Sequence, residues 1–194
     1  MSFFYYRDFH RIDEDSLRCV CFSDEATFHT QGVVNRHNFC TWGSENPHVV
    51  FQNEQGSPKV NVWCGLMHNK VIGTFFFNKP TISANVYLDM LELYVSPQLE
   101  KFQPWIIFQK DGAPPRWGSH VCWLLDAAFP NRWIGRDGPT PWPPRSPDIT
   151  PLTSFCGGML RTKCFRHQSK VLQNLKTRII DAFATITEGM LENT

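Results

Sequence analysis

The order of hydrophobic patterns along this chain predicts an α/β domain in which helices cover the faces of a mixed sheet. Strand-like periods dominate the first half, and helical and strand-like periods alternate in the second. One sheet covered by helices is the economical way to bury that sequence of elements. Size agrees: 194 residues, 42% apolar and 14% aromatic, suit one domain burying about 70% of its unfolded surface.

Residues 1–17 mix aromatic and charged side chains without a clear period and form a lead-in to a domain over 18–194. Residues 18–22 are a short apolar strand that closes at Ser23, Asp24 and Glu25. Residues 59–64 alternate apolar and polar side chains, the pattern of a half-buried strand. Residues 71–77 follow a turn around His68, Asn69 and Lys70, so the two runs form a hairpin. Tyr87, Met90, Leu91 and Tyr94 then fall at helical spacing, with Ser83 or Asn85 as a cap and Pro97 as a stop. Residues 105–108 are a buried strand running into Gln109, Lys110, Asp111 and Gly112.

Val121, Leu124, Leu125 and Ala128 share one helix face, which Ser119 would cap. Residues 132–134 make a fifth strand. Six prolines in the thirteen positions 139–151 predict a loop without ladder hydrogen bonds. Val171, Leu172, Leu175, Ile179, Ile180 and Phe183 mark a closing amphipathic helix.

This composition excludes a disordered tail and a collagen-like repeat. The net charge of +1 conceals an uneven distribution. Residues 132–178 hold nine bases and two acids, whereas residues 1–131 hold ten bases and thirteen acids. Such a positive C-terminal third can steer a polyanion or be only a solvated helix face. Seven cysteines in no paired pattern point to a reducing compartment rather than a disulfide framework. The start is charged too soon for a secretory signal, and no apolar run approaches the roughly 20 residues of a membrane span. Cys156, Cys164 and His167 match no common zinc spacing and read as ordinary packed residues.

Two acids stand out because each follows a strand: Asp24 and, with 86 residues between them, Asp111. Were those strands neighbours, their ends would lie about 4.8 Å apart and both carboxylates could share one cation. Magnesium suits such a site, with water and phosphate completing its octahedron. By spacing alone, Asp24 as a strand-end cap and Asp111-Gly112 as a turn remain the commoner readings.

Seven segments, taken together, resemble the catalytic domain of mariner-type transposases of the DDE/DDD superfamily. They are Phe22-Ser-Asp-Glu-Ala-Thr-Phe28, Val34-Asn-Arg-His-Asn38, Trp42-Gly43, Ser57-Pro-Lys-Val-Asn-Val-Trp-Cys-Gly65, Lys110-Asp-Gly-Ala-Pro-Pro115, Arg132-Trp-Ile-Gly135 and Trp142-Pro-Pro-Arg-Ser-Pro-Asp148, in the family's order. The resemblance implies a ribonuclease-H-like fold, here with a mixed five-stranded sheet and helices on both faces. It also implies two-metal phosphoryl transfer to DNA, in which three carboxylates hold two Mg²⁺ or Mn²⁺ ions roughly 4 Å apart. On this chain Asp24 takes the first carboxylate position and Asp111 the second. The third falls five residues beyond Asp148, at Thr153.

Threonine brings no charge, so two carboxylates would face two divalent ions and the metal would be incompletely bound. The resemblance therefore implies a catalytically defective enzyme, since electrostatics and positioning supply nearly all of this catalysis. Recruitment of Asp148 or Glu25 as a substitute ligand would restore a working nuclease. Asp148 otherwise caps the following helix. Other departures lie nearby. Gly157 and Gly158 fall inside the expected helix, Arg116 stands where the family commonly has histidine, and Lys110 where it commonly has glutamine. Lys110, beside Asp111, could compete with a metal for that carboxylate.

Family members begin with helix-turn-helix modules that read DNA sequence; none precedes Asp24, and the end at Thr194 reads as a truncation. Without a recognition helix, DNA would be held non-specifically through phosphates. Arg161, Lys163, Arg166, Lys170, Lys176 and Arg178 would supply those contacts, with no acid between Arg161 and Ile180. The resemblance implies a nuclear protein and a homodimer, with no membrane partner and no small-molecule cofactor. The alternative is a non-enzymatic module that keeps the fold for binding DNA or another partner. The Pro-x-x-Pro spacings of residues 141–147 read as the loop before the catalytic helix rather than as a ligand for an SH3-type groove.

Overall fold

The computed structural model describes residues 18–30, 58–141 and 171–191. Thr153, Asp148, Arg161, Lys163, Arg166, Lys170 and the Cys156–Cys164–His167 group lie outside the described residues, as does the lead-in over 1–17.

Strands β1 (Val20–His29), β2 (Lys59–Met67) and β3 (Lys70–Phe77) form an antiparallel meander. Helix α1 (Ala84–Met90) continues through a π turn (Leu91–Val95), an α turn (Ser96–Leu99) and a 3₁₀ turn (Glu100–Phe102). Strand β4 (Ile107–Gln109), a 3₁₀ turn (Pro114–Trp117), helix α2 (Ser119–Ala128), and strands β5 (Trp133–Gly135) and β6 (Thr140–Pro141) follow. Helices α3 (Leu172–Ala184) and α4 (Glu188–Leu191) end the described chain. The sheet order is β3-β2-β1-β4-β5-β6, with β1, β4, β5 and β6 parallel to their neighbours in that half.

One core lies on the face covered by α1 and α2, where Cys21, Trp63, Phe108 and Trp133 meet Tyr87, Met90, Val121 and Leu125. The other lies under α3, where Phe28, Val60, Val62 and Cys64 meet Leu175, Ile179 and Ala182. Helices on both faces are thus present.

Several expectations need correction. The sheet has six strands, not five: Thr140–Pro141 pairs with β5 inside the proline-rich stretch. Proline is tolerated there because β6 is the edge strand, where a missing N–H need not break a ladder. Strand β1 does not close at Asp24; it runs on to His29, because β2 pairs with it from Phe22 through His29. The buried strand begins at Ile107, and Trp105 is 75% exposed.

Pro97 does not stop the helix either. It lies in the first turn of Ser96–Leu99, directly after the π turn, where a changed hydrogen-bond pattern accommodates the missing N–H. Ser83 does cap α1, accepting from the Val86 N–H at 3.4 Å, whereas α2 is preceded by Gly118 and Ser119 makes no capping bond. The hairpin forms as expected, with a turn at His68 and Asn69.

Glycine is required within β3. Gly73 has φ of 47° where the β2–β3 register slips by one residue, a bulge geometry that L side chains adopt only with strain.

Candidate active site

The centre of the sheet positions the two predicted carboxylates. Strand β4 pairs with β1 only from Val20↔Ile107 to Phe22↔Gln109. Extended two residues past its last pair, that register would align Asp24 with Asp111, just past the end of β4. Beyond Phe22, strand β1 keeps its β2 neighbour while β4 has ended, so an opening forms there. Polar side chains can occupy such an opening without breaking a core.

Alternation along β1 separates Asp24 from Glu25. Phe22, Ala26 and Phe28 pack on the α3 face, so Asp24, in phase with them, belongs to that face. Cys21 packs on the α1–α2 face, and Glu25, in phase with it, lies there. The Asp24 carboxylate accepts the Glu25 N–H at 2.8 Å. Asp111 accepts the Ala113 N–H at 3.0 Å, which fixes the turn after β4.

A third charged group enters from the 3₁₀ turn. The Arg116 guanidinium pairs with Asp111 Oδ1 through Nη1 and with Glu25 Oε2 through Nη2. The three side chains are 7% (Arg116), 9% (Glu25) and 16% (Asp111) exposed. The guanidinium also lies 5.8 Å from the centre of the Tyr87 ring, within cation–π range. A cleft of about 350 Å³ opens beside it, lined by Glu25, Thr27, Lys59, Asn61, Ala113 and Arg116 among others. Thr27 donates to Asn61 Oδ1 at 2.8 Å, and Asn61 donates to the Pro80 carbonyl at 3.0 Å, giving the cleft a fixed polar wall.

Lys110 is not the competitor its place in the sequence suggested. Its side chain is fully buried on the far side of the turn. The ammonium donates to the Arg116 carbonyl oxygen and sits 4.8 Å over the Trp133 ring, 3.9 Å from Cys122 Sγ. Burial holds its pKa below the ordinary lysine value, an effect partly offset by Cys122 and by the nearby acids Asp137 and Asp126. Its stem needs Gly135, where a Cβ would come within 2.8 Å of Lys110 Cε. Lys110 thereby fixes the backbone that presents Arg116.

Of the predicted site residues, Asp24 lies on β1 and Asp111 follows β4, two strands that pair as far as Phe22↔Gln109. Glu25 is turned to the opposite face and held by Arg116, an arrangement unlike the substitute ligand weighed for it. Lys176 and Arg178 are on α3, with the Lys176 ammonium 5.5 Å over the Phe76 ring of β3. Sequence reasoning singled out Arg116 only as a departure from a pattern, and spacing gives no sign that it reaches Glu25. Hard oxygen donors such as Asp24 and Asp111 suit Mg²⁺ or Mn²⁺. Among the described residues no group of three His, Cys, Asp or Glu side chains could hold an ion.

No protein-family model matches the chain. It is 26% identical over 176 residues to the Tc3 transposase of a Caenorhabditis elegans transposable element, covering 90% of this chain and 51% of that one. The chain thus spans about half the length of that curated relative. Among solved structures, it superposes on the Mos1 transposase paired-end complex with the left transposon end, at a TM-score of 0.69 and 16% identity over 97% of this chain and 54% of that one. The catalytic domain of Mos1 mariner transposase matches at a TM-score of 0.66 and 16% identity, covering 97% and 80% of the two chains. The fold is therefore that of a ribonuclease-H-like transposase catalytic domain. The sequence similarity is likewise to a transposase, Tc3.

Proposed function

We propose that this chain is a DDE-type domain directed at DNA phosphodiesters, with Asp24 and Asp111 as its remaining carboxylate ligands and Thr153 at the third position. The observation that supports this reading is the pairing of β1, which carries Asp24, with β4, which leads to Asp111, within a fold shared with Mos1. Mos1 catalytic-domain structures carry Mn or Mg, and the oxygen donors here suit the same ions. A bound divalent ion would polarise a phosphoryl oxygen and lower the pKa of an attacking water.

The residues themselves account for a defective site. Asp24 and Asp111 give two negative charges where the family supplies three, and Arg116 already neutralises part of that charge at Asp111. Strand cleavage is consequently lost or reduced by orders of magnitude, while DNA binding through phosphates persists. The basic residues from Arg161 to Arg178 supply that binding, in a nuclear protein that pairs with a second copy. A non-enzymatic DNA-binding module is the second reading, favoured by the engagement of Asp111 with Arg116.

Nicking of supercoiled plasmid in Mn²⁺ or Mg²⁺ tests the enzyme reading. The expected result is nicking by Thr153→Asp alone, with the unaltered chain and Asp24→Asn inactive. Nicking by the unaltered chain that Asp24→Asn abolishes would remove the claim of defective catalysis.

A further inference from the structure

We infer that Arg116 is a built-in counter-ion of the carboxylate site, occupying the charge position that a divalent cation would take at Asp111. The inference rests on the reading of Asp24 and Asp111 as ligands. Its support is geometric: one guanidinium bridges Asp111 and Glu25, carboxylates contributed by different elements, and all three are largely shielded from water. A shielded charge pair is screened little by salt, so an approaching ion must displace the guanidinium rather than coexist with it.

The arginine is held on every side. Its carbonyl is tied to Lys110, and its guanidinium lies against the Tyr87 ring. Arginine keeps its charge at any working pH, so the counter-ion is permanent. Glu25 supplies the second anchor, because its Oε2 binds Arg116 while Oε1 is buried with no hydrogen-bond partner among the described residues. A carboxylate so enclosed has its charge balanced chiefly by the arginine. Arg116 is thus a positioning and competing group, not a catalytic residue.

The test is direct binding of Mn²⁺ to the full chain, read as loss of the free-ion electron paramagnetic resonance signal. Four proteins are compared: unaltered, Arg116→Met, Arg116→Met/Glu25→Gln, and that double variant with Asp24→Asn added. The double variant keeps the site testable should Arg116→Met alone leave Glu25 buried without its partner and fail to fold. Removal of the arginine is expected to tighten Mn²⁺ binding by tenfold or more (on the order of the effect of one nearby positive charge), and Asp24→Asn is expected to reverse the gain.

Equal Mn²⁺ affinity with and without Arg116, with Asp24→Asn still weakening it, would overturn the counter-ion and leave the ligand reading standing. A gain that Asp24→Asn does not touch would keep the counter-ion, acting at Asp111, and overturn Asp24 as a ligand. Binding by none of the folded variants would overturn both.

Discussion

Lys110 and Arg116 are two departures from the family pattern, and in the sequence they read as independent accidents. In three dimensions they form one unit, since the Lys110 ammonium holds the carbonyl of the residue whose guanidinium holds Asp111 and Glu25. A different residue, Cys21, gives a prediction at this scale. Burial between the sheet and α1 pushes its thiol up from 9.0 to about 12. The unfolded chain therefore loses this proton first, and binds fewer protons than the folded one between those values. Stability from this group is intact below pH 9 and falls as pH rises toward 12, by about 1.4 kcal/mol per pH unit at most. Cys21→Ala, costing about 1 kcal/mol in lost contacts, removes that component. Urea unfolding of both proteins from pH 8 to 11 should give curves that converge and cross between about pH 9 and 10, and parallel curves would refute the assignment.

At the scale of elements, β3 depends on one backbone conformation. Gly73 has φ of 47°, and a Cβ there would run into the Tyr94 ring from the π turn after α1. Gly73→Ala should cost about 2 kcal/mol or more by urea unfolding, from left-handed strain plus the clash. Gly112→Ala, where a Cβ meets nothing within 4 Å, should stay within about 0.5 kcal/mol. Equal costs at both positions would show that Tyr94 gives way and that the bulge is not fixed. The elements were largely legible in the sequence because Trp63, Tyr87, Leu125 and Ile179 recur at the period of their strand or helix. Boundaries were less so. Asp24 and Glu25 look like a strand end because charges usually mark solvent, yet β1 continues past them with β2 alongside and β4 already ended. The sequence leaves open whether the strands before Asp24 and Asp111 are neighbours; β1 and β4 do pair. The reach of Arg116 to Glu25 was not legible, because a long side chain joining two elements leaves no periodic trace.

For the whole molecule, the decisive property is how charge is shared between the sheet and the basic C-terminal third. Residues 132–178 carry nine bases against two acids, and a polyanion bound there releases counterions in proportion to the phosphates neutralised. Binding to a random duplex should therefore weaken steeply with salt, with a slope on a logarithmic plot of about 0.9 per phosphate contact. Asp24 lies on β1, remote in sequence from those bases, and neutralising it removes one acid without touching them. Fluorescence anisotropy across 50–300 mM salt should give nearly the same slope for the unaltered chain and Asp24→Asn, and a shallower slope and weaker binding for Arg161→Glu/Lys163→Glu. Lys176 carries less weight, because its ammonium lies over the Phe76 ring; Lys176→Gln should change the slope by well under one contact. Binding insensitive to salt, or undiminished by the Arg161 and Lys163 reversals, would move the nucleic-acid surface off the basic third. The region around Arg116 and its cleft, with Lys59 on the rim, would then be the surface to alter next.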